Sequence, residues 1–164
     1  MNDALIIFIK NPVKGKVKTR LAKTAGDDKA LKIYRELLRH TRAIACRINA
    51  HRYLFYSQHI NTEDEWPASQ FKKALQAGGD LGAKMSSAFR QVLNEHNKAV
   101  IIGSDCASLT AAIVSEAFRL LDHYDVVMGP AILPPRNAGV STRAFPKHRI
   151  EYRGGGRRYP GAGG

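Results

Sequence analysis

Cysteine is scarce in this chain: Cys46 and Cys106 are the only two among 164 residues. Two thiols cannot build a disulfide framework or a four-thiolate zinc site. Long hydrophobic runs are also missing, and none approaches the roughly 18 apolar residues that a membrane span needs. The N-terminal apolar run, Ala4–Ile9, stops at Lys10 and is too short for the apolar part of a signal peptide. A cytoplasmic protein without a membrane span is the expectation. The phosphate-loop pattern is absent too: Gly15-Lys16 is followed by Val17 instead of Ser or Thr, and no glycine stands five places before Gly15. The dinucleotide glycine fingerprint is likewise missing.

What is present is a hydrophobic fraction of 44% and a net charge of +12. The former suffices for a one-domain core. The charge looks like a nucleic-acid footprint until it is followed along the chain. About half of it lies beyond Ala131, in Arg136, Arg143, Lys147, Arg149, Arg153, Arg157 and Arg158 against the single acid Glu151. That stretch is also rich in glycine and proline. Residues 1–131 are only mildly basic and read as the folded domain. Residues 132–164 read as a basic Gly/Pro/Arg-rich tail, disordered or non-native, because such a composition buries too little apolar surface to offset its ordering entropy.

Within residues 1–131 apolar strands alternate with amphipathic stripes. Ala4–Ile9 reads as a buried strand, and Lys10–Ala25 as a loop punctuated by Pro12 and Gly15. A stripe through Ala30, Ile33, Tyr34, Leu37, Leu38, Thr41, Ile44, Ala45 and Ile48 predicts a helix from about Asp28 to Asn49, with Asp27 or Asp28 as its cap. Arg52–Tyr56 and Phe71–Ala77 are the next strands. Gly78-Gly79-Asp80-Leu81-Gly82 opens a helix carrying Leu81, Met85, Ala88, Phe89, Val92 and Leu93. Ala99–Gly103 is a strand, Ser108 can cap a further helix, and Asp125–Gly129 is a fifth strand. This alternation predicts a three-layer α/β/α, Rossmann-like fold with a mostly parallel sheet.

Ligands in such sheets bind beyond the carboxyl ends of the strands, where strand order reverses. Two segments have that position. Lys10–Arg20 packs five basic residues around Gly15, and such a loop holds a diphosphate by charge and backbone N–H groups, or is simply a solvated basic loop. Gly103-Ser-Asp-Cys-Ala107 places Asp105 at a strand end, where an aspartate either coordinates Mg²⁺ or Mn²⁺ or serves as a turn residue. Cys106 has no histidine near it in sequence and reads as a packed thiol. Gly79-Asp80-Leu81-Gly82 suits close approach by a nucleotide, and is by itself a well-formed cap.

Four blocks taken together carry a resemblance: Phe8–Leu21, Gly79–Met85, Ile102–Cys106 and Asp125–Ala131. They resemble, in order, the bacterial GT-A-type nucleotide-diphospho-sugar transferases (the radical-SAM/selenodomain-associated transferase-like proteins). The resemblance implies a GT-A fold, a nucleoside-diphosphate sugar as donor, an undefined acceptor and a divalent metal, Mg²⁺ or Mn²⁺. Gly15, Lys18 and Arg20 would then face the nucleotide phosphates. Gly79, Asp80 and Gly82 would line the nucleotide pocket, and Asp105 would take the metal-bridging place.

Two departures stand out. Ala107 replaces the proline that usually follows the Gly-Ser-Asp-Cys block. After Ala131 the family continues with an Asp-Gly-Gly-Tyr-type segment and later a Trp-Ser-Thr motif, whereas this chain reads Ile132-Leu-Pro-Pro-Arg-Asn137. The sheet is therefore expected to be incomplete at its C-terminal side, and no general base is assignable. Nucleotidyl transfer on the same fold, a non-catalytic fragment, and a nucleic-acid-binding module using the tail are the competing readings. The last has least support, since the body lacks any helix-turn-helix, RRM or zinc pattern.

Overall fold

The computed structural model describes residues 2–129 and the backbone of residues 143–146. It divides into two units, Met1–Arg119 and Leu120–Gly164. The first holds a four-stranded sheet of β1 (Asp3–Ile9), β2 (His51–Tyr56), β3 (Lys72–Leu75) and β4 (Lys98–Gly103), in the order β3-β2-β1-β4 and parallel throughout. Its helices are α1 (Thr19–Ala25), α2 (Asp27–Arg47), α3 (Leu81–Leu93) and α4 (Ala111–Leu120), the last ending at the unit boundary.

Alternation along β1 sorts the two faces. Leu5, Ile7 and Ile9 pack with Leu54 and Tyr56 of β2, with Tyr34, Leu38, Ile44 and Ala45 of α2, and with Val114 and Phe118 of α4. Ala4 and Ile6 face the other way, with Tyr53 and Phe55 of β2 and Ala88 and Val92 of α3. The register Ile6↔Tyr53 and Ile7↔Leu54 keeps this sorting across the pair. A one-residue slip would invert it, so the apolar pattern fixes the pairing. The result is the three-layer α/β/α, Rossmann-like arrangement expected from the sequence.

Several boundaries differ from expectation for identifiable reasons. The stretch read as one loop, Lys10–Ala25, contains α1, a seven-residue helix with no buried residue and hence no apolar stripe to betray it. Gly26, not Asp27 or Asp28, caps α2; at φ 85° its N–H closes α1 on the Ala22 carbonyl, and its own carbonyl opens α2 by accepting from Ala30. Asp27 and Asp28 fall in the first turn, where their charge complements the helix dipole. At α4 the Thr110 hydroxyl, rather than Ser108, accepts the Ile113 N–H at 3.3 Å. The polar stretch before β3 is anchored by buried Trp66, which packs edge-on against Phe71 at 5.0 Å.

The largest correction concerns the fifth strand. It forms, as β5 (Tyr124–Met128), but pairs antiparallel with β6 (Arg143–Pro146) in a separate two-stranded sheet of the second unit. Four residues of the C-terminal segment thus take strand form. The expectation that the tail is disordered or non-native otherwise lies outside the described residues.

Candidate functional site

The order β3-β2-β1-β4 reverses direction between β1 and β4, so the switch point lies beyond Ile9 and Gly103. The two loops singled out in the sequence both leave from there. The loop after β1 is pegged at two places. Asn11 is buried; its amide donates to the His59 carbonyl at 2.8 Å and its oxygen accepts from the Gln58 and His59 N–H groups. Val17 is buried in the α2-side core. Between these pegs the chain must turn, and Gly15 does so at φ 75°. Lys14 pairs with Asp28 at 2.8 Å, which holds its ammonium pKa above the usual lysine value.

Lys18, the residue before α1, has φ 47° and ψ 44°, a left-handed conformation rare for a side-chain-bearing residue. Its Nζ lies 3.8 Å from Asp105 Oδ2. The basic loop and the strand-four aspartate are therefore brought together, as the switch-point rule anticipates. Asp105 is exposed, and a Cβ on Gly103 would stand 3.3 Å from its Oδ1, so the glycine clears room for the carboxylate. Arg20 sits exposed in the first turn of α1. Cys106 is partly exposed, with Sγ 3.4 Å from the Ser108 hydroxyl.

Gln76, three residues before Gly79, reaches the same end of the sheet. That side chain donates to the carbonyls of Ile9 at 3.2 Å and Phe55 at 3.1 Å, closing the ends of β1 and β2. Gly79 has φ 96°, and Gly82 lies in the first turn of α3. Asp80 caps α3, its Oδ1 accepting the Ala83 N–H at 2.8 Å. The capping role read from the sequence is thus realised.

A residue that pattern reading assigned only to the core stripe sits at the centre of this edge. The Tyr34 hydroxyl accepts the Lys10 N–H at 2.9 Å, donates to the Lys10 carbonyl at 3.0 Å, and lies 3.1 Å from Ser104 Oγ. Burial raises the Tyr34 pKa, so the phenol stays protonated. The available signal was chemical: a buried tyrosine needs a partner for its hydroxyl.

Among the described residues no three His, Cys, Asp or Glu side chains converge on a metal position. No helix there is long and apolar enough to cross a membrane.

No curated protein matches the chain. Among solved structures it is similar to a crystal structure from Desulfovibrio desulfuricans G20 described as a "putative nucleotide-diphospho-sugar transferase", with 30% identity and a TM-score of 0.71. The match covers 80% of this chain and 59% of that one, so the chain spans less than two thirds of that protein's length. The bacterial family described as "Uncharacterized protein conserved in bacteria (DUF2064)" matches residues 40–132. With more than half of its length matched, and with the fold that the four sequence blocks implied, the chain belongs to that family.

Proposed function

We propose that the chain binds a nucleoside-diphosphate sugar at the β1/β4 switch point, as the donor half of a glycosyltransferase. The observation that carries this reading is the meeting of Lys18 and Asp105 across the two loops, 3.8 Å apart. A cationic loop facing a carboxylate at the ends of two parallel strands suits a diphosphate, whose charge the loop balances. Supporting it is the likeness to the Desulfovibrio protein whose description names such a transferase.

In this reading Lys18 and Arg20 pair with diphosphate oxygens, and Gly15 lets backbone N–H groups come close. These groups act where negative charge develops as the sugar–phosphate bond breaks, which is electrostatic stabilisation of the leaving group. The Gly79–Gly82 turn then borders the nucleotide, its glycines leaving room beside the α3 cap.

The donor set fits a divalent cation only in one mode. A single exposed carboxylate is too little for a resident ion, but Mg²⁺ is commonly held by one or two carboxylates together with substrate phosphates. Asp105 would hold a Mg²⁺ or Mn²⁺ ion shared in that way, and the ion would supply charge neutralisation at the diphosphate.

Calorimetric titration with UDP and GDP, with and without Mg²⁺ or Mn²⁺, tests the reading. Binding is expected to strengthen with the ion, and Asp105→Asn is expected to remove that gain. Arg20→Ala should weaken binding by about 1–3 kcal/mol, the value of a charge-assisted contact. Binding that ignores both the ion and Asp105→Asn sinks the proposal.

A further inference from the structure

We propose that Tyr34 is a positioning residue whose one hydroxyl sets the spacing between the basic loop and Asp105; the inference rests on the nucleotide-site reading above. β1 ends at Ile9 and β4 at Gly103, so Lys10 and Ser104 are the first residues past the parallel ladder. At a switch point the two chains turn away from each other, and no strand continues between them to pair their backbone. Tyr34, projecting from the buried stripe of α2, takes that place.

Donor counting fixes the arrangement. A phenol has one proton and can accept two hydrogen bonds. The proton goes to the Lys10 carbonyl, the Lys10 N–H is accepted, and the second acceptor site is then left for the Ser104 hydroxyl, which must donate. Ser104 is buried, and its neighbour in sequence is Asp105. The start of the cationic loop and the residue before the candidate metal-bridging carboxylate are thereby tied to one atom. A second tie runs between the same elements: His40 Nε2 lies 2.9 Å from the Leu109 carbonyl, at the far end of the Asp105 loop. Both ends of that loop are referenced to α2.

A merely structural tyrosine would affect stability alone. A positioning tyrosine should affect the cooperation of the two loops on a diphosphate. In Tyr34→Phe the factor by which Mg²⁺ strengthens UDP or GDP binding is expected to fall about tenfold, the equivalent of one well-placed hydrogen bond, with little change in binding without the ion. Ser104→Ala should act in the same direction, and Ser104→Thr, which keeps the hydroxyl, should restore the factor relative to Ser104→Ala. An ion effect equal to wild type in a folded Tyr34→Phe overturns the inference.

A second readout is independent of nucleotide. In Cys46→Ser protein, alkylation of Cys106 by iodoacetamide reports the freedom of the Asp105 loop. Tyr34→Phe and Ser104→Ala should each raise that rate several-fold, and unchanged rates in both overturn the inference. If wild type shows no ion effect, the nucleotide reading fails on that titration and the alkylation rates alone decide for Tyr34. If Tyr34→Phe does not fold, Ser104→Ala carries both measurements.

Discussion

The Lys18 ammonium stands 3.8 Å from the Asp105 carboxylate, and Lys18 presents it from a left-handed backbone at φ 47°. The pair lies at the surface, with side-chain exposures of 26% and 71%, so it adds little to stability. Neither the left-handed backbone nor the exposed ion pair makes Lys18 a source of folding stability.

Lys18→Gly separates the two. Glycine adopts this conformation freely, so the unfolding free energy should rise by up to about 1 kcal/mol, while nucleoside-diphosphate affinity falls. Urea unfolding with an unchanged slope checks the first half, and titration with UDP checks the second. A less stable Lys18→Gly protein would show that the side chain, not the strain, dominates.

Gly79 offers a paired comparison within one turn. It has φ 96°, and an added Cβ would lie 3.1 Å from Ala83 Cβ, whereas a Cβ on Gly78 meets nothing within 4 Å. Gly79→Ala should cost about 1–2 kcal/mol, and Gly78→Ala should stay within about 0.5 kcal/mol of wild type. Equal effects in chemical denaturation would contradict the turn geometry.

Much of this was legible in the sequence, and for definite reasons. Ala4–Ile9 has nowhere to go but a buried strand, and the stripe through Ala30, Tyr34 and Leu38 allows one helix. Asp105 could be placed near the basic loop because both follow apolar strands at their carboxyl ends, where such sheets bind ligands, and because it stands in the Gly-Ser-Asp-Cys block. The helix Thr19–Ala25 could not be seen, since it buries no residue and starts from a left-handed lysine. Nor could the partner of β5, because pairing across a long separation leaves no local mark. Tyr34 was read as core by spacing; its second role depends on which backbone groups the fold leaves unpaired beside its hydroxyl.

His96 should make the fold sensitive to mild acid. The Tyr53 hydroxyl accepts from Lys72 and donates to Glu95, so His96 Nε2–H donates to it at 2.9 Å and Nδ1 is left bare and buried. Burial chiefly, then the neighbouring His51 and Lys72, lowers its pKa, against the opposing pull of Glu95 and Asp3. The unfolded chain therefore binds the proton more readily, and stability should fall as pH drops below about 6.5 toward the folded-state value. His96→Gln cannot titrate, so its stability should decline less than wild type between about pH 7 and pH 5. Parallel pH profiles of the two proteins in urea unfolding would refute this.

The loop before β3 depends on a sheltered ion pair. Lys73 and Asp64 meet at 2.8 Å, with side-chain exposures of only 7% and 16%. Lys73 also donates to the Asn61 carbonyl at 2.7 Å, and Asp64 accepts the Tyr56 hydroxyl at 2.5 Å and the Trp66 N–H at 3.0 Å. Burial, then the hydrogen bond to Asp64 and last its charge, push the Tyr56 pKa far up, so the Tyr56 hydroxyl keeps its proton to donate. The two partners are thus unequal. Asp64→Ala strands a buried ammonium with the Asn61 carbonyl and the Tyr56 ring 5.9 Å away. It also removes the acceptor of the Trp66 N–H and leaves the Tyr56 hydroxyl only its longer contact to that same carbonyl, at 3.2 Å, so it should cost about 3 kcal/mol or more. Lys73→Met leaves Asp64 with two donors and a stem of similar length in place of the lysine's, so its cost should be smaller. The chain has a single tryptophan, and Trp66 is buried against Phe71, so its fluorescence reports this loop directly. Asp64→Ala is expected to shift Trp66 emission toward the solvent-exposed range before the main unfolding transition, and Lys73→Met to shift it less. The opposite order of the two variants, in stability or in emission, would mean that the carboxylate is not the hub of this loop.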